Sequence, residues 1–327
     1  NQAGHSRWPP QVRSALARRS AVPYLEAMAK STIAVIGAGG KVGAHLTRLL
    51  LERGHSVRAI GRTAERLLPL VQLGAEARLG TVEDQRFLAT AFRDADAVFV
   101  MIPPSYANAD PPTYQRRVAE AVAEALQEAR VRHVVCLSSI GAERAEGNGP
   151  IAGLHRLEER LNQIPGLNVV HLRAGYFMEN LLAGILMIRN SGINGGAFRA
   201  DLPLAMIATR DVAAAAVDLL ADRQFTGHTA RELHGPRALT FREATTILGS
   251  AIGKPDLTYV EYAYPDTRGA LLATGSSPVM ADLFIEMIDA FNRGVIGARE
   301  SPTTAITTPT TLEEFARTVF APAFERH

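Results

Sequence analysis

The sequence predicts an α/β fold: a doubly wound parallel sheet followed by a smaller α/β lobe. Three observations carry that prediction. From Ser31 to Leu172, short apolar runs alternate with segments whose apolar residues recur every three or four positions. The first run ends in a glycine cluster that opens a helix. The chain also has 327 residues, 47% hydrophobic and 21% charged, enough for a large core in about two domains or one domain with a lobe. That composition excludes a disordered or collagen-like chain.

The elements follow in order. Thr32 to Ile36 is an apolar run ended by glycines, as a buried parallel strand requires. Val42, Leu46, Leu49 and Leu50 give the first helix its stripe, and Gly54 stops it. Ser56 to Ile60 is the second strand. Ala64 to Leu73 is a short helix interrupted by Pro69, and Glu76 to Leu79 a third strand assigned by its place in the alternation. Phe87 to Phe92 is the next helix. Ala97 to Ile102 is the fourth strand, cut off by Pro103-Pro104, and a long helix runs from about Thr113 to Arg130. His133 to Leu137 and Val169 to Leu172 are the fifth and sixth strands. Right-handed crossovers then place helices on both faces of one parallel sheet.

Beyond about Gly175 the alternation loosens. Phe241 to Ile252 is a helix opened by a capping box, Thr240-x-x-Glu243, and Thr311-x-x-Glu314 repeats the device before the last helix. The 301–311 segment, with six Thr and two Pro, reads as a loop. The expected organisation is an extension at 1–27, a Rossmann-type nucleotide-binding core at 28–175, and a substrate-binding lobe with returning elements at 176–327. The extension holds four Arg against Glu26, together with Pro9-Pro10 and Trp8. It reads as a disordered segment outside the fold, with an organelle presequence as the alternative.

Charge and cysteine content narrow the function classes. Thirty-five Lys and Arg face 33 Asp and Glu, a net charge of +2, and the extension holds +3 of it, which leaves about −1 for residues 28–327. Such a balance argues against direct nucleic-acid binding. One cysteine, Cys136, forms neither an internal disulfide nor a cysteine-based zinc site, which fits a reducing, cytoplasmic setting. No apolar run approaches the roughly 18–20 residues of a membrane span. The nine His show no metal-ligand spacing, so no metal is expected.

The most informative motif is Gly37-Ala38-Gly39-Gly40-Lys41-Val42-Gly43, between the first strand and the first helix. Gly37 permits the tight turn, Gly40 lets the backbone approach a pyrophosphate, and Gly43 lets the helix pack close to the sheet. Free N–H groups at the helix start then face the phosphates. The motif is not a P-loop, because Lys41 lacks the Gly-Lys-Ser/Thr arrangement. The second strand ends Ile60-Gly61-Arg62-Thr63 with no acid for a ribose 2′-hydroxyl. Arg62 and Thr63 instead suit a 2′-phosphate, with Arg66 as a helper, so NADP(H) is expected ahead of NAD(H).

Taken together, the glycine turn with Arg62, His133–Ala142 (HVVCLSSIGA), Leu172–Leu181 (LRAGYFMENL), Ala208–Ala213 (ATRDVA) and Thr311–Ala316 (TLEEFA) resemble the NmrA-like family. That family belongs to the atypical short-chain dehydrogenase/reductases, and the resemblance extends over about residues 29–320. Its nearest-looking branch holds NADPH-dependent quinone reductases and triphenylmethane dye reductases. The resemblance implies that Ile102 and Pro103 pass the cofactor ribose, that Ser138 and Ser139 lie beside the nicotinamide, and that Gly175, Tyr176 and Phe177 wall the nicotinamide and substrate side. Where relatives carry Gly-Asp after the third strand, near the adenine, this chain has Gly80-Thr81.

The Tyr-x-x-x-Lys pair of typical short-chain reductases occurs nowhere in the chain. The corresponding helix carries His155 and Glu159, four residues apart and able to share one face. A carboxylate there favours imidazolium, which makes His155 a candidate proton donor, the alternative being a polar residue at the pocket rim. Tyr176 is the second candidate, or else a pocket-wall aromatic. Glu179-Asn180 can hydrogen-bond a ligand, or else hold the crossing into the smaller lobe. A quinone or conjugated cation takes hydride from the cofactor and does not require a protein acid. The expected function is therefore an NAD(P)H-dependent oxidoreductase acting on a quinone-like or conjugated small molecule. The alternative is a non-catalytic NADP(H)-sensing regulator with a protein partner.

Overall fold

The computed structural model describes residues 30–299 and 307–326. The extension at 1–27 and most of the threonine-rich loop lie outside the described residues.

Seven parallel strands form the main sheet. In chain order they are β1 (Thr32–Ile36), β2 (Ser56–Gly61), β3 (Glu76–Leu79), β4 (Ala97–Val100), β5 (His133–Ser139), β6 (Asn168–Ala174) and a late strand, β10 (His228–Leu233). Their order across the sheet is β10-β6-β5-β4-β1-β2-β3. The reversal between β1 and β4 opens a crevice at the strand ends, where doubly wound sheets bind ligands. Alternate residues of each strand serve opposite faces. Ala34, Ile36, Val98 and Cys136 enter one core beneath α3 (Gln85–Phe92), α4 (Pro111–Glu128) and α5 (Ile151–Asn162). Ile33, Val35, Phe99 and Val135 enter the other, beneath α1 (Lys41–Glu52), α2 (Ala64–Gln72) and α7 (Thr209–Asp222), which lies against α1.

Some boundaries differ from the sequence expectation. The fourth strand leaves the ladder after Val100 although the apolar run continues to Ile102, because Pro103 and Pro104 offer no N–H to a neighbouring strand. α4 begins at Pro111 rather than Thr113: its two prolines occupy positions that need no N–H, and the Asp110 carboxylate accepts from Thr113 N–H at 3.1 Å. α2 runs through Pro69 to Gln72.

After Gly175 the chain builds a second core. β7 (Tyr176–Phe177) pairs with β9 (Leu204–Ile207), which pairs in turn with β11 (Ala238–Leu239). β8 (Asn194–Gly196) pairs with β12 (Tyr259–Glu261). Around them pack a 3-10 turn (Met178–Gly184), α6 (Ile185–Ser191), α8 (Phe241–Ala251), α9 (Tyr264–Ala273) and α10 (Pro278–Asn292). The chain ends with α11 (Leu312–Phe315), a π turn (Ala316–Phe320) and α12 (Ala321–Arg326). The capping box at Thr240 and Glu243 is complete. The one expected at Thr311 is half made: Thr311 accepts from Glu314 N–H, but the Glu314 carboxylate pairs with Arg210 instead of reaching back. No helix among the described residues is long and apolar enough to cross a membrane.

Candidate cofactor and substrate site

The glycine turn has the geometry its sequence implies. Gly37 sits at φ +71°, a region that disfavours side chains, and its carbonyl accepts from Gly40 N–H at 2.8 Å. Ala38 N–H donates to the Ile60 carbonyl at 3.2 Å, which fixes the turn to β2. A Cβ at Gly43 would lie 2.2 Å from the Gly37 oxygen, so only glycine lets α1 start this close to the turn. No side chain caps α1 and its first turn has no acid, which leaves the positive end of the helix for an anion. A cradle that a Cβ would fill, above an uncapped helix start, fits the pyrophosphate of a dinucleotide. The Lys41 ammonium points elsewhere, donating to the Glu179 carbonyl at 3.3 Å.

Arg62 and Thr63 are exposed at the end of β2, and Thr63 precedes α2 without capping it. The Arg62 charge reaches the Tyr114 phenol, whose pKa burial raises and Arg62 opposes. Arg66 packs its Cβ against Gly39.

Beside this turn, at the carboxyl ends of β4, β5, β6 and β10, lies a cavity of about 730 Å³. It brings together Ile102, Pro103, Ser138, Ser139, Gly175, Tyr176, Phe177 and Asn180. Gly37–Gly43, Arg62 and Thr63 do not line it, but Met101 does, and a Cβ at Gly37 would lie 2.7 Å from the Met101 sulfur. Turn and cavity are therefore adjacent. The far wall is Phe198 together with one face of α10, where Met280, Phe284, Met287 and Phe291 recur at helical spacing. α10 is held at both ends: Ser277 N–H donates to the Tyr106 carbonyl at 2.8 Å, and the Asn292 amide to the Ala197 carbonyl at 2.8 Å. α9 buries none of its residues.

Tyr176 sits edge-on to Phe198 and Phe241, with centroids 5.8 and 5.5 Å away. Burial pushes its phenol well up, so it keeps its proton at neutral pH and can only donate or accept a hydrogen bond. Asn180 lines the cavity, whereas Glu179 turns away to cap α7, accepting from Thr209 N–H at 3.0 Å and Thr209 Oγ1 at 2.6 Å.

His155 is not brought to the cavity. It is half-buried, and its Nδ1 lies 2.8 Å from the Ala142 carbonyl. Glu159 is exposed, and no bond joins the two among the described residues. Glu158 holds the inward position on α5 instead. Its buried carboxylate accepts from Ser138 Oγ and takes a bidentate pair of bonds from Arg173, at 3.0 Å from Nε and 2.6 Å from Nη2. Burial, and secondarily the charge of Glu158, raise the Cys136 thiol well above its usual range, as expected of an inert core cysteine.

Sequence reasoning did not single out Glu158 and Arg173, nor a second buried pair, Glu232 and His234, of which His234 lines the cavity. The first pair joins a helix to a strand fifteen residues on, and only the i, i+2 spacing of Glu232 and His234 leaves a local trace. Among the described residues, no group of three or more His, Cys, Asp or Glu is arranged to hold a metal.

Comparison with known proteins agrees with this geometry. Residues 37–223 match the model of a family described as NAD(P)H-binding. The chain is 33% identical over 264 residues to a (4-alkanoyl-5-oxo-2,5-dihydrofuran-3-yl)methyl phosphate reductase of Streptomyces griseus, covering 80% of this chain and 88% of the relative. It is 30% identical over 264 residues to an NAD(P)H azoreductase of Xenophilus azovorans, covering 78% and 85%. Its fold is that of an NADPH-dependent quinone oxidoreductase of Escherichia coli solved with NADPH, at TM-score 0.73 and 23% identity over 88% of this chain and 99% of that one. Family model, reductase relatives and sheet architecture converge: the chain belongs to the NAD(P)H-binding family and is an oxidoreductase.

Proposed function

We propose that this protein reduces an uncharged, conjugated small molecule, quinone-like in shape, with NADPH as hydride donor. One observation carries the substrate class. Among the described residues that line the 730 Å³ cavity there is no Lys, Arg, Asp or Glu, while its walls are aromatic and methionine side chains. Such a lining favours a flat apolar acceptor and disfavours a charged one, because a desolvated charge would find no partner. It offers no Lys or Arg to pair with a phosphate such as the one in the name of the Streptomyces relative's substrate.

In this reading the residues divide the work as follows. Gly37–Gly43 hold the pyrophosphate on the α1 N-terminus, with Ala38, Gly39 and Gly40 giving close backbone approach and Lys41 and Val42 supplying first-turn N–H groups. Arg62 and Thr63 hold the 2′-phosphate. Ile102 and Pro103 flank the ribose, and Ser138, Ser139 and Gly175 face the nicotinamide. Bound there, NADPH supplies the hydride. Glu158, fixed by Arg173, accepts the Ser138 hydroxyl hydrogen and so sets the direction of that side chain. Tyr176, Phe177 and Asn180 contact the acceptor, the neutral Tyr176 phenol donating to an acceptor oxygen. Residues 176–327 act as the substrate lobe, closing the cavity against water. A lone buried cysteine suits a reducing, cytoplasmic setting.

The test is NADPH oxidation with menadione and with a neutral azo dye. Turnover with either supports the reading. Tight NADPH binding with no oxidation above background for any acceptor refutes it, and leaves the alternative of an NADP(H) sensor that acts through a protein partner.

A further inference from the structure

We propose that His234, held by Glu232, is the proton donor that completes the reduction; the proposal rests on the reductase reading above. The two residues are two apart at the end of β10, and both are buried, at 3% and 4% exposure. His234 Nε2 lies 2.9 Å from a Glu232 carboxylate oxygen. The carboxylate also accepts Arg299 N–H, at 3.0 and 3.2 Å to its two oxygens, and lies in register with Arg173 on β6. The backbone around the imidazole is fixed as well. Thr308 donates to the His234 carbonyl through N–H at 2.8 Å and Oγ1 at 2.9 Å, and a Cβ at Gly235 would lie 2.0 Å from the Met206 oxygen.

His234 borders the proposed acceptor site. Gly175 N–H donates to the Leu233 carbonyl at 3.0 Å, so the turn carrying His234 adjoins the turn carrying Tyr176. Among the described lining residues, His234 is the sole histidine, and no Lys, Arg, Asp or Glu joins it. Glu232 takes Nε2, and Nδ1 has no partner among the described residues. A carboxylate on one imidazole nitrogen fixes the tautomer and stabilises imidazolium, leaving the other nitrogen to work on a ligand.

The step balances. The hydride and its electron pair pass from NADPH to the acceptor, so NADPH is oxidised to NADP⁺ and a quinone becomes a hydroquinone monoanion. The Nδ1–H bond of the His234 imidazolium then breaks and an O–H bond forms on that anion. The neutral imidazole keeps its Nε2–H on Glu232 and regains a proton from water. Among the described residues, the charged groups around the pair are Glu232 itself, Arg173 on β6, Glu143 beside Arg173 and 3.0 Å from Arg299 Nε, and Arg299; Tyr176 shares the cavity.

The experiment uses the whole protein with NADPH and menadione, following kcat, KM and NADPH affinity against pH. In the wild type kcat falls as pH rises and imidazolium is lost. His234→Gln, which keeps a donor for Glu232, lowers kcat about 10²-fold at unchanged NADPH affinity and abolishes that alkaline fall. Glu232→Gln moves the fall to lower pH, because the imidazolium loses its carboxylate; this second variant decides the matter if His234→Gln does not fold. A folded His234→Gln with wild-type kcat and pH profile, or a Glu232→Gln profile that does not move, overturns the proposal while the reductase reading stands. No NADPH oxidation by the wild type with any acceptor overturns the reductase reading, and this proposal with it.

Discussion

His171 makes the fold acid-sensitive, by an amount that can be worked out. It lies on β6, 2% exposed, with Nε2 2.8 Å from the Asn162 side-chain oxygen. Nδ1 is buried without a partner among the described residues, which suits a neutral ring with its proton on Nε2. Burial lowers the pKa from 6.5 to about 4, against the opposing charge of Glu158 and with smaller help from Arg173 and His228. The unfolded chain therefore binds a proton below pH 6.5 that the native state refuses until about pH 4. Stability is complete above the upper value and is lost progressively as pH falls through that window. The interval corresponds to about 3 kcal/mol from this one side chain. His45, His55 and His133 are lowered too, chiefly by burial, and act in the same direction. The assay is urea unfolding of the wild type and of His171→Gln, at steps from pH 7.5 down to pH 4.5. The wild type should lose that increment beyond the loss seen in the variant. Parallel stability–pH curves for the two proteins would refute the reasoning.

Three further predictions concern the site and its supports. In Gly43→Ala the new Cβ would meet backbone atoms at 2.2 to 2.9 Å, so α1 must shift; the variant should lose about 1–3 kcal/mol in unfolding and bind NADPH at least about tenfold more weakly by fluorescence titration. Arg62→Ala should weaken NADPH by about 10- to 100-fold and leave NADH nearly unchanged, the effect of one charge-assisted phosphate contact; an unchanged NADPH/NADH ratio removes Arg62 from that role. Arg173→Leu leaves the buried Glu158 carboxylate without its bidentate partner and should cost about 3–5 kcal/mol in chemical unfolding, whereas a loss under about 1 kcal/mol would contradict the pairing.

What could be read from the sequence follows from how local each signal is. The glycine turn is contiguous, and Gly40 and Gly43 answer to contacts with Gly37 a few residues away, so turn, β1 and α1 were legible together. β1, β4 and β5 are buried on both faces and announce themselves as apolar runs. β10 does not, because four of its six residues are exposed at the sheet edge and its text, His-Thr-Ala-Arg-Glu-Leu, is polar. With that strand unread, the Glu232–His234 pair had no face to share. His155 and Glu158 share α5 but not a role: Glu158, three residues on, is the one bonded to Ser138, and a spacing rule does not tell the two apart. The far wall of the cavity joins Phe198 to α10 across about ninety residues, and no spacing rule reaches that far.

The α9–α10 hairpin has a consequence for how such a protein changes its diet. It contributes no strand to any sheet among the described residues, and its α10, fastened at Tyr106 and Ala197, supplies one wall of the cavity proposed for the acceptor. The glycine turn, β5 and β6 share none of its residues. Replacing that one hairpin between the fasteners would re-tailor the acceptor while leaving the donor side untouched. A lineage built this way can explore new electron acceptors without rebuilding its hydride source, and a protein engineer can do the same with a single cassette.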